Sequence, residues 1–152
     1  WRRSGEWSRG RYRMTICYYC GSSNPSTLDH TIPVSYYSSE AVRKKRSSYI
    51  DPVPVVASCG ECNGTLHNKL IMDVRGRAAY LKEKYLIKYD KLLKSPDWDV
   101  EDLEDLGRSL RSTVENDLRL KKNIQNRLVS LNMLIDLPYD PFVEEKEARG
   151  WG

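Results

Sequence analysis

Four cysteines, arranged in two pairs, constrain the fold of this 152-residue chain more than any other feature. Each pair has two intervening residues, Cys17-x2-Cys20 and Cys59-x2-Cys62, and 38 residues separate the pairs. Two such turns can complete a tetrahedral Zn²⁺ shell with Zn–S bonds of about 2.3 Å. Two disulfides are the alternative. Because the chain starts without the apolar stretch of a secretory signal, we predict a structural zinc site.

Composition narrows the class of protein further. Hydrophobic residues are 39% of the chain, charged residues are 30%, and the mean hydropathy is −0.65. No apolar run approaches the roughly 20 residues that span a bilayer. We therefore expect one soluble domain, or one domain with a helical extension, in the cytoplasm and without a membrane partner.

The net charge of +4 is unevenly distributed. The first 50 residues hold nine Lys or Arg against three acids, a net +6, and the remainder carries −2. Such a basic region favours a polyanionic partner, because each cation near a phosphate releases a counterion. A solvated basic surface is the alternative. The candidate nucleic-acid contacts are Arg9, Arg11, Arg13, Arg43, Lys44, Lys45 and Arg46.

Hydrophobic periodicity predicts short strands at 27–34 and 53–58, followed by helices. A first helix of about a dozen residues is expected from Asn63, with an interruption at Gly76, and a second over 78–93. A leucine-rich stripe over 103–131 predicts a long helix. Its expected break lies at one of two positions, Gly107 or Asn123. The stripe favours an internal core or a homodimer seam between C-terminal helices over a peptide-binding groove.

Three polar residues lie close to the cysteine pairs in the sequence. Asp29 and His30 lie between the pairs, and Asn63 directly follows Cys62. A zinc site would bring these segments together across a small cleft. Carboxylate and amide oxygens suit Mg²⁺, and an adjacent imidazole suits a general base. Phosphodiester hydrolysis needs such a base and a cation. The alternatives are a structural role for His30 and a helix N-cap role for Asn63.

The order of motifs within about residues 14–75 resembles that of the zinc-bound branch of the HNH endonucleases. The motifs are, in order, Cys-x2-Cys, Thr-Leu-Asp-His-x2-Pro and Cys-x2-Cys-Asn. The resemblance implies an α+β fold, a zinc-stapled ββα-metal finger followed by an α-helical extension. It implies that His30 is the general base and that Asp29 and Asn63 hold a catalytic Mg²⁺ or Mn²⁺. The later helices resemble, less specifically, the C-terminal parts of phage-encoded HNH proteins. This likeness implies that the protein acts in a bacterial host cell.

The chain departs from that family pattern at two positions. Family members carry an Asn about five residues before the third cysteine, where Pro54 stands, and no Asn occurs from 25 to 62. Many members have His where this chain has Asn63, and an Asn ligand favours Mg²⁺ or Mn²⁺ over transition metals. His67 is predicted to share the helical face of Asn63, as a third metal ligand, a phosphate contact or a surface residue.

These patterns predict a metal-dependent DNA endonuclease, a phosphodiester hydrolase. A catalytically inactive zinc-stapled nucleic-acid-binding module and a helical assembly or partner-binding protein are the alternatives. The predicted organisation is a basic arm over 1–13, the nuclease domain over 14–76, the helical extension over 77–137 and a mobile charged tail over 138–152.

Overall fold

A small antiparallel strand pair and a set of helices form the part of the chain that a computed structural model describes, residues 16–23, 25–31, 55–67 and 69–143. The elements in these ranges are β1 (Thr27–His30), β2 (Val55–Ser58), α1 (Gly60–Leu66), α2 (Val74–Lys88), α3 (Asp90–Leu93), α4 (Val100–Glu104) and α5 (Arg108–Ile135). The expected mixed α and β class is therefore confirmed.

β1 and β2 pair with Thr27 opposite Ser58 and His30 opposite Val55. The Thr27 hydroxyl adds a hydrogen bond to the Ser58 carbonyl oxygen at 2.8 Å. Alternation along β1 places Leu28 at the surface and Asp29 in the interior, as the two-residue period of a strand requires. Both elements lie within the predicted strands, and positions 32–34 and 53–54 lie outside the described residues.

The first helix ends earlier than predicted. α1 stops at Leu66 because His67 has backbone angles φ 39° and ψ −117°, which are not helical. α2 then begins at Val74, where the side chain of Asp73 accepts a hydrogen bond from the Gly76 backbone N–H at 2.9 Å. Gly76 therefore lies in the first turn of α2, and the prediction that it interrupts a helix is wrong. The boundary predicted between the nuclease domain (14–76) and the helical extension (77–137) also falls inside α2.

α5 packs along α2 and buries Ile124, Leu131 and Leu134. Gly107 is its N-cap and separates it from α4, so the predicted break at Gly107 is confirmed, whereas Asn123 lies within the helix. The C-terminal half of the leucine stripe is buried, with Ile124 and Leu131 at most 1% exposed. No helix in the described ranges combines the length and apolar character needed to cross a bilayer.

The segment after α5 folds back onto the start of α2. The Asp140 carboxylate accepts hydrogen bonds from the backbone N–H groups of Val74 at 3.0 Å and Arg75 at 3.2 Å. Phe142 is buried and stacks on Tyr18 with ring centroids 5.2 Å apart. The first residues of the segment predicted as a mobile tail are therefore packed, because they cap α2 and cover an aromatic side chain. Positions 144–152 lie outside the described residues.

Two glycines in helices give opposite predictions for substitution by alanine. A Cβ at Gly76 would lie 2.6 Å from Asp73 Oδ1 and 2.7 Å from Ile71 Cγ2, whereas nothing lies within 4 Å of a Cβ at Gly64. We expect Gly76→Ala to lower the free energy of unfolding by about 1 kcal/mol, because the N-cap is displaced. Gly64→Ala, the control, should raise it by about 0.5–1 kcal/mol. Urea unfolding measures both, and equal stabilisation by the two substitutions would contradict the capping geometry.

Candidate functional site

All four cysteine sulfurs converge at one buried point. They lie within 4.8 Å of one another, and none forms a disulfide. The Cys20 and Cys59 sulfurs are 3.7 Å apart. A tetrahedral zinc ion with Zn–S bonds of about 2.3 Å needs sulfurs about 3.8 Å apart, and a disulfide needs about 2.0 Å. The cluster therefore fits a metal ion such as zinc and does not fit the disulfide alternative.

The two cysteine pairs are held by different local structures. In the first turn, the Gly21 N–H donates to the Cys17 carbonyl oxygen at 3.0 Å, with Gly21 at φ 74°, which favours glycine. In the second, Cys59 is the N-cap of α1, and its sulfur accepts from the Cys62 backbone N–H at 3.4 Å. A backbone bond from Tyr18 to the carbonyl oxygen of Ala57 at 2.8 Å joins the turn to β2.

The crowded thiols change one another's affinity for protons. Hydrogen bonds from Cys20, Cys59 and Cys62 lower the pKa of Cys17 well below the usual thiol range. The hydrogen bonds that Cys20 and Cys62 make with Cys17 raise the pKa of these two thiols. A cation that binds the sulfurs as thiolates displaces their protons, so metal affinity at this cluster falls at acid pH.

Side chains from α2 and α5 surround the sulfurs. Tyr85 donates its hydroxyl proton to the Cys62 sulfur at 2.8 Å, and Arg127 approaches the Cys59 sulfur at 3.9 Å. The Arg127 guanidinium also lies over the Tyr85 ring, 4.7 Å from its centroid. Four thiolates around one zinc ion carry a net negative charge, and these donors offset it. Both contacts were missed from sequence, although Arg127 follows the buried Ile124 by three residues and so occupies a core phase of α5.

Glu61 connects this surrounding layer to the end of α2. It forms ion pairs with Arg127 at 2.6 Å and Lys88 at 2.5 Å, and it accepts a hydrogen bond from the Tyr89 hydroxyl at 2.6 Å. Burial alone would raise the pKa of Glu61. The hydrogen bonds from Lys88, Tyr89 and Arg127 outweigh burial and lower it to about 2. Glu61 therefore stays ionised at neutral pH and holds Arg127 near the sulfurs.

Asp29 has a buried cationic partner. Its Oδ2 atom lies 2.5 Å from Arg77 Nη2 and also accepts a hydrogen bond from the Tyr19 hydroxyl. Neither of these bonds goes to Oδ1. The side chains of Asp29 and Arg77 are 3% and 1% exposed. Burial opposes the charge of Arg77, but the Tyr19 oxygen and the Asp29 carboxylate together outweigh it and raise the pKa of Arg77.

The other predicted site residues occupy different positions around β1. His30 is the last residue of β1 and is half-buried. The residues before and after it, Asp29 and Thr31, are buried. Asn63 lies on α1, which packs against β1. Cys59 is the N-cap of α1, so the alternative that Asn63 caps this helix is wrong. His67 is exposed beyond the end of α1, which contradicts the predicted shared helical face with Asn63.

The predicted nucleic-acid contacts cannot be placed relative to this site. Arg9, Arg11, Arg13, Arg43, Lys44, Lys45 and Arg46 all lie outside the described residues, as does Pro54. Their proposed roles stay predictions. Models of protein families, curated proteins and solved structures yield no match to this chain. The functional inference therefore depends on the residues themselves.

We expect the purified protein to contain one zinc ion per chain by native mass spectrometry. Cys59→Ser should lose the zinc and unfold, because binding of a structural zinc contributes about 10–16 kcal/mol in small zinc domains. Asn63→Ala, one residue after a ligand, is the control and should keep its zinc. Retention of zinc by Cys59→Ser, or a protein mass 4 Da low from two disulfides, would contradict the assignment.

Arg127 should tune the affinity of the cluster for zinc. We expect Arg127→Met to weaken zinc binding by about 10- to 100-fold, as is typical when a group that supports metal ligands is removed. Arg119→Met, at an exposed position of the same helix, should bind zinc like the wild type. Competition against a chromophoric chelator at pH 7 measures both. Equal affinities for the two variants would show that the contact with Cys59 has no energetic role.

Proposed function

We propose that the protein is a zinc-stapled, metal-dependent DNA endonuclease of the HNH type. One observation carries the proposal. β1, with Asp29 and His30, pairs with β2, and α1, with Asn63, follows β2 through the cysteine cluster. Two strands followed by a helix, with four sulfurs beside them, agree with the ββα-metal finger that the motif resemblance implies. The basic first 50 residues supply the charge that a DNA partner needs.

The proposed chemistry divides among three side chains. His30 takes a proton from water, and the water oxygen attacks phosphorus. The bond to the 3′ oxygen breaks, and this oxygen leaves with the electron pair and takes a proton from solvent. The products are a 5′ phosphate and a 3′ hydroxyl. Asp29 and Asn63 would hold a divalent Mg²⁺ or Mn²⁺, which would neutralise charge on the phosphate and the leaving oxygen. The donor chemistry fits such an ion, since a carboxylate and an amide both offer oxygen ligands.

A second candidate function follows from the burial of Asp29. Its ion pair with Arg77 gives this carboxylate a structural role that needs no divalent ion. A zinc-stapled module that binds nucleic acid without cleaving it is therefore the alternative. It predicts DNA binding that weakens steeply with salt, by a log–log slope of about −0.9 per phosphate contact, and no nicking with any divalent ion.

His30 and Asn63 provide the test, because substitution of Asp29 would break a buried ion pair and cost about 3–5 kcal/mol in stability. We expect His30→Ala to slow Mg²⁺- or Mn²⁺-dependent nicking of supercoiled plasmid by about 100-fold or more. Asn63→Ala should raise the Mg²⁺ concentration needed for half-maximal rate. Both variants should keep zinc and melting temperature near wild-type values.

Leu28→Ala is the matched control, because Leu28 lies two residues earlier on the same strand and is exposed. It should nick plasmid at the wild-type rate. Equal cleavage by wild type and His30→Ala would exclude His30 as the base. Salt-sensitive binding without cleavage by the wild type would favour the second candidate.

A further inference from the structure

Arg77 makes more polar contacts in the interior than an ordinary ion pair requires. Its guanidinium is buried on α2, where Nε donates to the Tyr19 hydroxyl oxygen at 2.9 Å and Nη1 donates to the Ile71 carbonyl oxygen at 2.8 Å. Nη2 donates to Asp29 Oδ2, and Nη1 also reaches the Thr31 carbonyl oxygen at 3.4 Å. One planar group therefore connects α2, the segment before it, the first cysteine turn and β1.

Two of these acceptors flank His30. Asp29 precedes it, Thr31 follows it, and both are at most 2% exposed. The guanidinium carbon lies 5.7 Å from the Tyr19 ring centroid, which limits its movement on another side. Both chain neighbours of His30 are therefore hydrogen-bonded to one guanidinium, Asp29 through its carboxylate and Thr31 through its backbone carbonyl oxygen.

We propose that Arg77 is a positioning residue that fixes the orientation of His30 and of the Asp29 carboxylate. The proposal rests on the proposed function for its catalytic consequence. Burying a guanidinium is costly, and an apolar side chain of similar volume often stabilises a core as well. The planar fork can bond a carboxylate and two carbonyl oxygens in one fixed geometry, which a single ammonium cannot do. A bond to Oδ2 orients the carboxylate for metal binding, as hydrogen bonds to metal ligands commonly do.

Arg77→Lys and Tyr19→Phe test this role without removing much volume. Arg77→Lys keeps the charge and loses the fork, and Tyr19→Phe keeps the ring and loses the hydroxyl that joins Arg77 to Asp29. Arg75→Lys is the matched control, because Arg75 lies on the same helix and its side chain bonds to the Leu137 carbonyl oxygen, away from Asp29 and His30. All variants are made in the full chain and checked for zinc content and melting temperature.

We expect Arg77→Lys to lower kcat for plasmid nicking by about 10- to 100-fold, with KM for plasmid little changed. Tyr19→Phe should show a smaller loss, and Arg75→Lys none. The second measurement is the carbon–proton NMR spectrum of the imidazoles. The chain has two histidines, so His67 serves as an internal reference. The His30 signal should shift or broaden in Arg77→Lys and Tyr19→Phe, while the His67 signal stays in place.

The two measurements separate the positioning role from the proposed function. If the wild type nicks DNA but both variants keep the wild-type kcat and His30 signal, the positioning role is wrong and the nuclease stands. If the wild type does not nick DNA but the His30 signal moves in the variants, the nuclease is wrong and the positioning role stands. If Arg77→Lys fails to fold, Tyr19→Phe decides by the same criteria.

Discussion

The convergence of four cysteine sulfurs is the constraint on which the rest of the described structure depends. One pair belongs to a turn that bonds to β2, and the other pair starts α1, so the cluster fixes where β2 ends and α1 begins. With only two short strands, the sheet cannot be stable alone. Metal binding at the sulfurs would supply the missing free energy, and the helices α2 and α5 supply the cover.

A second buried polar network sets the geometry of β1. Arg77 and Tyr19 hold the Asp29 carboxylate in the interior, and Arg77 also holds the carbonyl oxygen beyond His30. This network and the sulfur cluster share the first cysteine turn, because Tyr19 lies between Cys17 and Cys20. β1, which carries the candidate active-site residues Asp29 and His30, is thus supported by the Arg77 network and, through the first cysteine turn and β2, by the sulfur cluster.

The sequence predicted local features well where a spacing rule applied. The two Cys-x2-Cys pairs predict one shared cluster, and the leucine stripe predicts a long helix with a break at Gly107 or Asn123, of which the structure has the break at Gly107. The end of α1 was mispredicted, because the non-helical backbone of His67 is not visible in hydrophobic periodicity. The same periodicity does not reveal that Asp73 caps α2, and it therefore predicts a break at Gly76 that the structure does not have.

The polar partners of the site could not be predicted, because they lie far apart in the chain. Arg77 is 48 residues from Asp29, and Arg127 is 68 residues from Cys59. The available signal was a charged residue at a core position, since Arg77 precedes the buried Leu81 by four residues. That pattern predicts a buried partner for the arginine, and only the tertiary structure identifies the partner.

X-ray absorption at the zinc K-edge of the purified protein tests the central claim most directly, namely that one zinc ion bound by four thiolates organises this fold. The account predicts a single shell of four sulfur atoms at about 2.3 Å from zinc. A shell that includes nitrogen or oxygen ligands, or a purified and folded protein without zinc, would contradict it.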